Sequence, residues 1–159
     1  MVNINYEILI EEITKIGIPS EQDISLIKKN FIPISINKNY ILEEQNKHPQ
    51  FLYFVNSGFL RLFYYDDNGD EQTTFLCSKG GFIASFSSFV NQTNATENVE
   101  CITDCDLLKI SYSHARELVE KSEILKNFFL VIFEKSISSS ALRANDLALL
   151  TAEQRYQKM

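Results

Sequence analysis

Phe59-Leu60-Arg61-Leu62-Phe63-Tyr64-Tyr65-Asp66-Asp67-Asn68-Gly69-Asp70-Glu71-Gln72-Thr73-Thr74-Phe75-Leu76-Cys77 is the stretch whose reading decides the fold class. Two runs rich in aromatic and β-branched residues flank an acidic turn, and Asn68-Gly69 supplies the positive φ angles that a tight hairpin turn demands. The two arms therefore predict antiparallel strands. Along the first arm Leu60, Leu62 and Tyr64 fall on one face and Phe59, Arg61, Phe63 and Tyr65 on the other, because side chains alternate in a strand. The acidic turn does not read as a calcium loop. With Gly69 at the sixth loop position, Tyr64 falls at the first, where a carboxylate ligand is required.

Outward from the hairpin the period stays at two from Phe31 to Ile110. Short runs at Phe31 to Ile36, Tyr40 to Glu43, Phe51 to Val55, Glu97 to Ile102 and Asp106 to Ile110 alternate with Asn, Gly, Asp and Ser, as in a sandwich or barrel. Upstream, Ile4, Ile8, Ile13 and Ile16 predict a short amphipathic helix closed at Gly17-Ile18-Pro19. Ser20 with Asp23 three residues later has the pattern of a capping box for a second helix, buried through Ile24, Leu26 and Ile27. Downstream, Ser111 is placed to cap a helix with a face of Ala115, Leu118 and Val119. A long helix is then predicted from about Glu123 to Leu150. Its first half carries Ile124, Leu125, Phe128, Phe129, Leu130, Val131, Ile132 and Phe133, too wide an apolar arc for one neighbour. A narrower stripe of Leu130, Phe133, Ile137 and Ala141 continues at spacings of three and four, as in a helix-to-helix seam, and predicts a homodimer.

The composition narrows the function. The chain has 159 residues, is 45% hydrophobic and carries a net charge of −6, which suits one ordinary core and opposes binding to a phosphate backbone. Cys77, Cys101 and Cys105 are odd in number and lack CxxC spacing, so neither a disulfide framework nor a metal cluster is expected. Free thiols, no secretory signal and no apolar run long enough to span a bilayer predict a cytoplasmic protein without a membrane partner. His48 and His114, the two histidines, are unrelated in pattern and cannot build the multi-histidine metal site of a cupin-type enzyme. GxSxG, HExxH and Walker patterns are missing, and Lys79-Gly80-Gly81 lacks the Lys-Ser/Thr ending of a nucleotide loop. The expectation is a binding protein with no catalytic residue, cofactor or metal.

Val55-Asn56-Ser57-Gly58, Phe59-Leu60-Arg61-Leu62, the hairpin, Gly80-Gly81-Phe82-Ile83 and Leu107-Leu108-Lys109-Ile110-Ser111-Tyr112 follow one another in a characteristic order. This succession resembles the cyclic-nucleotide-binding domain of Crp/Fnr-type transcription regulators from about Phe31 onward. Tyr64-Tyr65-Asp66-Asp67 and Phe86-Ser87-Ser88-Phe89 look most like the divergent Bacteroidetes-type form. The resemblance implies a mainly β fold with flanking helices: a double-stranded β-helix or jelly roll over 31–110, N-terminal helices over 1–30, and C-terminal helices over 111–159 that include the dimerisation helix. The tail Leu147 to Tyr156 resembles the stretch leading into that family's helix-turn-helix, so DNA would be contacted only through a C-terminal module outside this chain. The rival expectation is a stand-alone ligand-binding protein without DNA-binding activity.

The same resemblance implies a ligand site built on Leu62, Thr74, Phe75, Cys77, Phe82, Ile83, Ala84, Ser85, Phe86 and Thr96, with Ser140 approaching from the long helix. In the family a glutamate holds the ribose and an arginine the cyclic phosphate. Here Ser85 stands at the glutamate position and Ala95 at the arginine position, and no arginine occurs between Arg61 and Arg116. A cyclic phosphate would lose a charge-assisted contact worth on the order of 1.5–3 kcal/mol. Cyclic AMP and cyclic GMP are therefore expected to bind weakly or not at all, and the effector is an unknown small molecule.

Overall fold

The order of elements follows the change of hydrophobic period, helical at both ends and strand-like between. This is a computed structural model that describes residues 5–149, with side chains described to residue 138. Two helices, α1 (Glu7–Thr14) and α2 (Glu21–Asn30), precede β1 (Ile32–Ile36), β2 (Ile41–Glu43), β3 (Phe51–Ser57), β4 (Leu60–Tyr65), β5 (Glu71–Cys77) and β6 (Phe82–Ile83). Helix α3 (Phe86–Asn91), strands β7 (Asn98–Cys101) and β8 (Cys105–Ser111), and helices α4 (Tyr112–Lys121) and α5 (Glu123–Leu149) complete the described residues. The strands form two antiparallel four-stranded sheets, ordered β1-β8-β3-β6 and β2-β7-β4-β5. The expected jelly roll with flanking helices is what forms.

Local signals set these boundaries. Ser20 Oγ accepts the Asp23 amide at 3.1 Å while Asp23 Oδ2 accepts the Ser20 amide at 2.9 Å, so the capping box closes α2 at its start. Ser111 Oγ likewise accepts the His114 amide at 3.2 Å and caps α4. In the β4–β5 turn Gly69 takes φ +82°, and Asp66 Oδ1 accepts the amides of Asn68 and Asp70. The acidic turn thus uses its carboxylate to tie its own backbone. These bonds, that from Asp70 foremost, hold the Asp66 carboxyl below the usual carboxylate range.

The strand β3 explains how one sheet serves two cores. Tyr53 and Val55 point between the sheets and join Leu60, Leu62, Cys77, Ile83, Val99, Cys101, Cys105 and Leu107. Leu52 and Phe54 point the other way, against Leu9, Ile13, Ile27, Leu118, Leu125, Phe128 and Phe129 from the helices. Both faces of β3 are therefore dry, which is why Leu52 to Val55 reads as an unbroken apolar run. Each fully buried phenyl or leucyl side chain contributes about 1.5–3 kcal/mol. Because helices from both ends of the chain pack on this one face, α5 is held along the β-roll through its first three turns.

Two features depart from simple alternation. Pairing between β4 and β5 steps from Leu62↔Phe75 to Phe63↔Thr73, leaving Thr74 as a β-bulge. On the outer face Phe63 is fully buried although it alternates with Leu62, because the Arg61 guanidinium lies 4.1 Å from its ring centre and Tyr65 meets it edge-on. The helix predicted from Ile4 begins at Glu7, and the strand predicted to end at Val55 continues to Ser57. Ile4 and the tail from Leu150 lie outside the described residues.

Candidate ligand-binding site

Three segments converge where α5 crosses the open side of the β-roll: the inner face of β4 and β5, the β6–α3 turn, and α5 itself. Two adjoining cavities lie there, and Leu62, Phe86 and Ser136 belong to the walls of both. The first, of about 380 Å³, is floored by Phe75, Cys77, Phe82, Phe128 and Ile132 and rimmed by Glu12, Lys79, Gly80, Gly81 and Lys135. The second, of about 660 Å³, is lined by Ala84, Ser85, Ser87, Val90, Asn91, Thr96 and Glu97, and by Phe133 and Ile137 from α5. Both fall near the size range of small-molecule sites.

Most of the residues expected at a site converge here. Leu62 and Phe86 face both cavities, Phe75, Cys77 and Phe82 the first, and Ala84, Ser85 and Thr96 the second. Two lie elsewhere. Ile83 is sealed in the inter-sheet core, and Thr74, displaced by the bulge, lines neither cavity and donates its hydroxyl to Glu97 Oε1 at 3.0 Å. The Ser140 side chain lies outside the described residues. Among the polar lining residues that sequence reasoning missed are Glu97 and, from helices, Glu12, Lys135 and Ser136. Glu97 could have been found, since it follows Thr96 directly. The other three come from helices whose crossing angle no local pattern reveals.

The turn into α3 has its own logic. Phe86 and Phe89 turn inward, Phe89 buried against Tyr112 and Phe86 edge-on to Phe133 at 6.2 Å. Ser85 occupies the N-cap position without capping, its hydroxyl reaching Ser88 Oγ at 3.5 Å. Gln92 adopts the left-handed conformation, φ 55°, and ends the helix after six residues. So short a helix carries little dipole.

Charge is distributed unevenly. The second cavity has Glu97 as its one charged lining residue among the described residues, whereas Glu12, Lys79 and Lys135 rim the first. Ala95, at the position expected for an arginine, lines neither cavity. It is buried, its amide bound to the Lys47 carbonyl and its carbonyl to the Asn46 amide, both at 2.7 Å. Arg61 is committed on the outer face to Glu71 at 2.7 Å and Glu100 at 2.8 Å, and Lys109 sits over the Phe51 ring. Burial pushes the Cys77 thiol up to about 12, against the opposing effect of a backbone hydrogen bond at Ser78, so little of it is the reactive thiolate at neutral pH.

On α5, Leu130 and Ile137 are 50% and 69% exposed, while Phe133 is half-buried, stacked on Phe129. The Ala141 side chain lies outside the described residues. Among the described residues no helix is long and apolar enough to cross a membrane, and no cluster of three His, Cys, Asp or Glu residues could hold a metal ion.

Several solved structures share this architecture. The catabolite activator protein of Thermus thermophilus superposes with a TM-score of 0.69 at 19% identity, covering 81% of this chain and 60% of that one. A transcriptional regulator assigned to the Crp/Fnr family from Eubacterium rectale gives 0.71 at 20% identity, with 86% and 64% covered. The sensor domain of the transcriptional regulator DNR from Pseudomonas aeruginosa gives 0.68 at 12% identity, with 92% and 95% covered. The chain thus spans less than two thirds of the first two regulators and nearly all of the isolated sensor domain. Compared by sequence with curated proteins, it matches none. Residues 33–122, more than half of the chain and nearly the whole span from β1 through α4, match the family profile of the cyclic nucleotide-binding domain, and the chain belongs to that family.

Proposed function

We propose that this chain is the effector-sensing and dimerisation part of a Crp/Fnr-type transcription regulator, acting in the cytoplasm and coupling a small-molecule signal to DNA through a module C-terminal to residue 159. The observation that carries the proposal is the shared wall: α5 lends Phe133, Ser136 and Ile137 to the larger cavity and runs on past it. A molecule bound against Ser85, Thr96 and Phe86 also touches the helix that would lead to the DNA-reading part. Differential contact with one helix position over another is what lets a ligand shift a conformational equilibrium. We read the domain as a binding module, since among the described residues its cavities bring together no nucleophile and base.

The effector is not a cyclic nucleotide of the ordinary kind. Ser85 and Ala95 replace the carboxylate and guanidinium that the family resemblance leads one to expect, and Glu97 adds a negative charge to the lining of the larger cavity. The homodimer is proposed to form along α5 through Leu130, Phe133, Ile137 and Ala141. The test of the sensor reading is mass spectrometry of small molecules released from natively purified protein, with Phe86→Trp, which fills the cavities, as the control. A compound carried stoichiometrically by the parent and lost from Phe86→Trp is expected. Identical empty spectra, with a DNA-binding activity that responds to no metabolite extract, would overturn it.

A further inference from the structure

We infer that the larger cavity takes an organic cation: an amine or ammonium group set against Glu97, attached to an apolar body that lies along Phe86 and Phe133. This rests on the reading of that cavity as the effector site and adds the charge class of the ligand. Glu97 is half-buried, and its Oε1 accepts the Thr74 hydroxyl at 3.0 Å. That bond fixes the carboxylate in orientation. An ionised carboxylate offers about four acceptor positions, so one bond to a hydroxyl leaves most of its capacity for a ligand.

Nothing else charged lines the cavity among the described residues. The remaining polar groups, Ser85, Ser87, Asn91, Thr96 and Ser136, are neutral and can serve a ligand of either sign as donors or acceptors. The sign is therefore decided by Glu97. In a cavity walled by Leu62, Ala84, Val90 and Ile137 the local dielectric falls below that of water, so repulsion of an anion and attraction of a cation both strengthen. Phe86 and Phe133, edge to face at 6.2 Å and 82°, supply ring faces whose negative quadrupole also favours a cation. Lys79 and Lys135 line the adjoining smaller cavity together with Glu12 and do not neutralise Glu97 from within this one.

The test uses three probes identical except for the end group: 4-phenylbutylamine, 4-phenylbutanol and 4-phenylbutyrate. Each is titrated into the isotope-labelled chain and followed by NMR, which reports both affinity and location. The amine is expected to bind on the order of tenfold tighter than the alcohol, and the carboxylate weakest. Glu97→Gln, which keeps an acceptor for Thr74, should collapse the amine-to-alcohol ratio toward unity. A carboxylate that binds as well as the amine, or an amine preference that survives Glu97→Gln, overturns the cation inference and leaves the effector-site reading standing. Perturbation of no residue among 84–87, 96, 97 and 133–137 by any of the three probes overturns both.

Discussion

The Tyr53 hydroxyl donates to Glu43 Oε1 at 2.9 Å inside the closed end of the β-roll, where the same oxygen accepts the amides of Phe51 at 3.1 Å and Gln50 at 3.3 Å. One carboxylate oxygen therefore ties β2 to the start of β3. Glu43 is 8% exposed, and burial raises its pKa more than these bonds and the nearby Lys109 lower it. An acid whose folded pKa is raised stabilises the fold fully at pH below its unfolded value, roughly 4.3. That contribution is lost as pH rises through the folded value. Glu43→Gln, which keeps the accepting oxygen and removes the charge, should flatten this pH dependence and leave stability at pH 7 equal or higher. Glu43→Ala strands the hydroxyl and both amides and should cost about 2–4 kcal/mol. Urea denaturation at pH 4.5 and pH 7 measures both; a Glu43→Gln protein much weaker than the parent at pH 7 would refute the assignment.

Cyclic AMP and cyclic GMP should bind no tighter than about 100 µM, a loss of more than 2 kcal/mol from micromolar affinity. Among the described residues the second cavity offers hydroxyls and a carboxylate but no cation, and Ala95 is buried away from it. Isothermal titration of the ligand-free domain decides the matter, and a micromolar dissociation constant for either nucleotide would show that another group neutralises the phosphate.

Leu130→Glu with Ile137→Glu should yield a folded monomer. Both residues are large, apolar and exposed on α5, and a carboxylate set into an apolar seam costs several kcal/mol. Sedimentation velocity beside far-ultraviolet circular dichroism gives the answer. An unchanged sedimentation coefficient in a folded double variant would place the dimer contact elsewhere.

Cys77 should resist alkylation in the folded chain despite lining a cavity. With its thiol pushed up to about 12, about one molecule in ten thousand is ionised at pH 8, and the thiolate is the reactive form. Mass spectrometry after iodoacetamide treatment should find Cys77 unmodified until denaturant is added; rapid stoichiometric labelling in the native state would contradict the burial argument.

Gly58→Ala should destabilise by about 2 kcal/mol or more. Gly58 has φ +97°, and an added Cβ would come within 2.5 Å of the Asp104 carbonyl oxygen and 2.6 Å of Cys105 Sγ. An unshifted urea midpoint would show that the β7–β8 turn yields easily.

The sequence carried the strands well, because alternation and turn chemistry are local. Glu71 to Cys77 begins and ends where the pattern places it, whereas in the turn Gly69 alone, and not Asn68, takes the positive φ expected of the Asn-Gly pair. The two-residue β6 left no periodic trace, since Phe82 and Ile83 become a strand only by pairing with Phe54 and Tyr53. At the cavities, Ala84, Ser85, Phe86 and Thr96 were legible through the family spacing. Thr74 was misplaced for a physical reason: adjacent strand residues cannot both face inward, and the bulge turns its hydroxyl toward Glu97. Lys135 and Ser136 were hidden because the rotation of α5 is fixed by Phe128 and Phe129 packing in a core with residues distant in sequence, Phe82 against Phe128 among them.

Ile137 is at once 69% exposed and part of the larger cavity's wall. Any partner helix resting on its outer side and any molecule resting on its inner side would press on the same few atoms. Reciprocity then constrains the system: whatever factor a ligand applies to subunit association, association must apply to ligand affinity. Apparent affinities measured at different protein concentrations would consequently disagree, and the size of their disagreement is itself a reading of how strongly the helix transmits the signal.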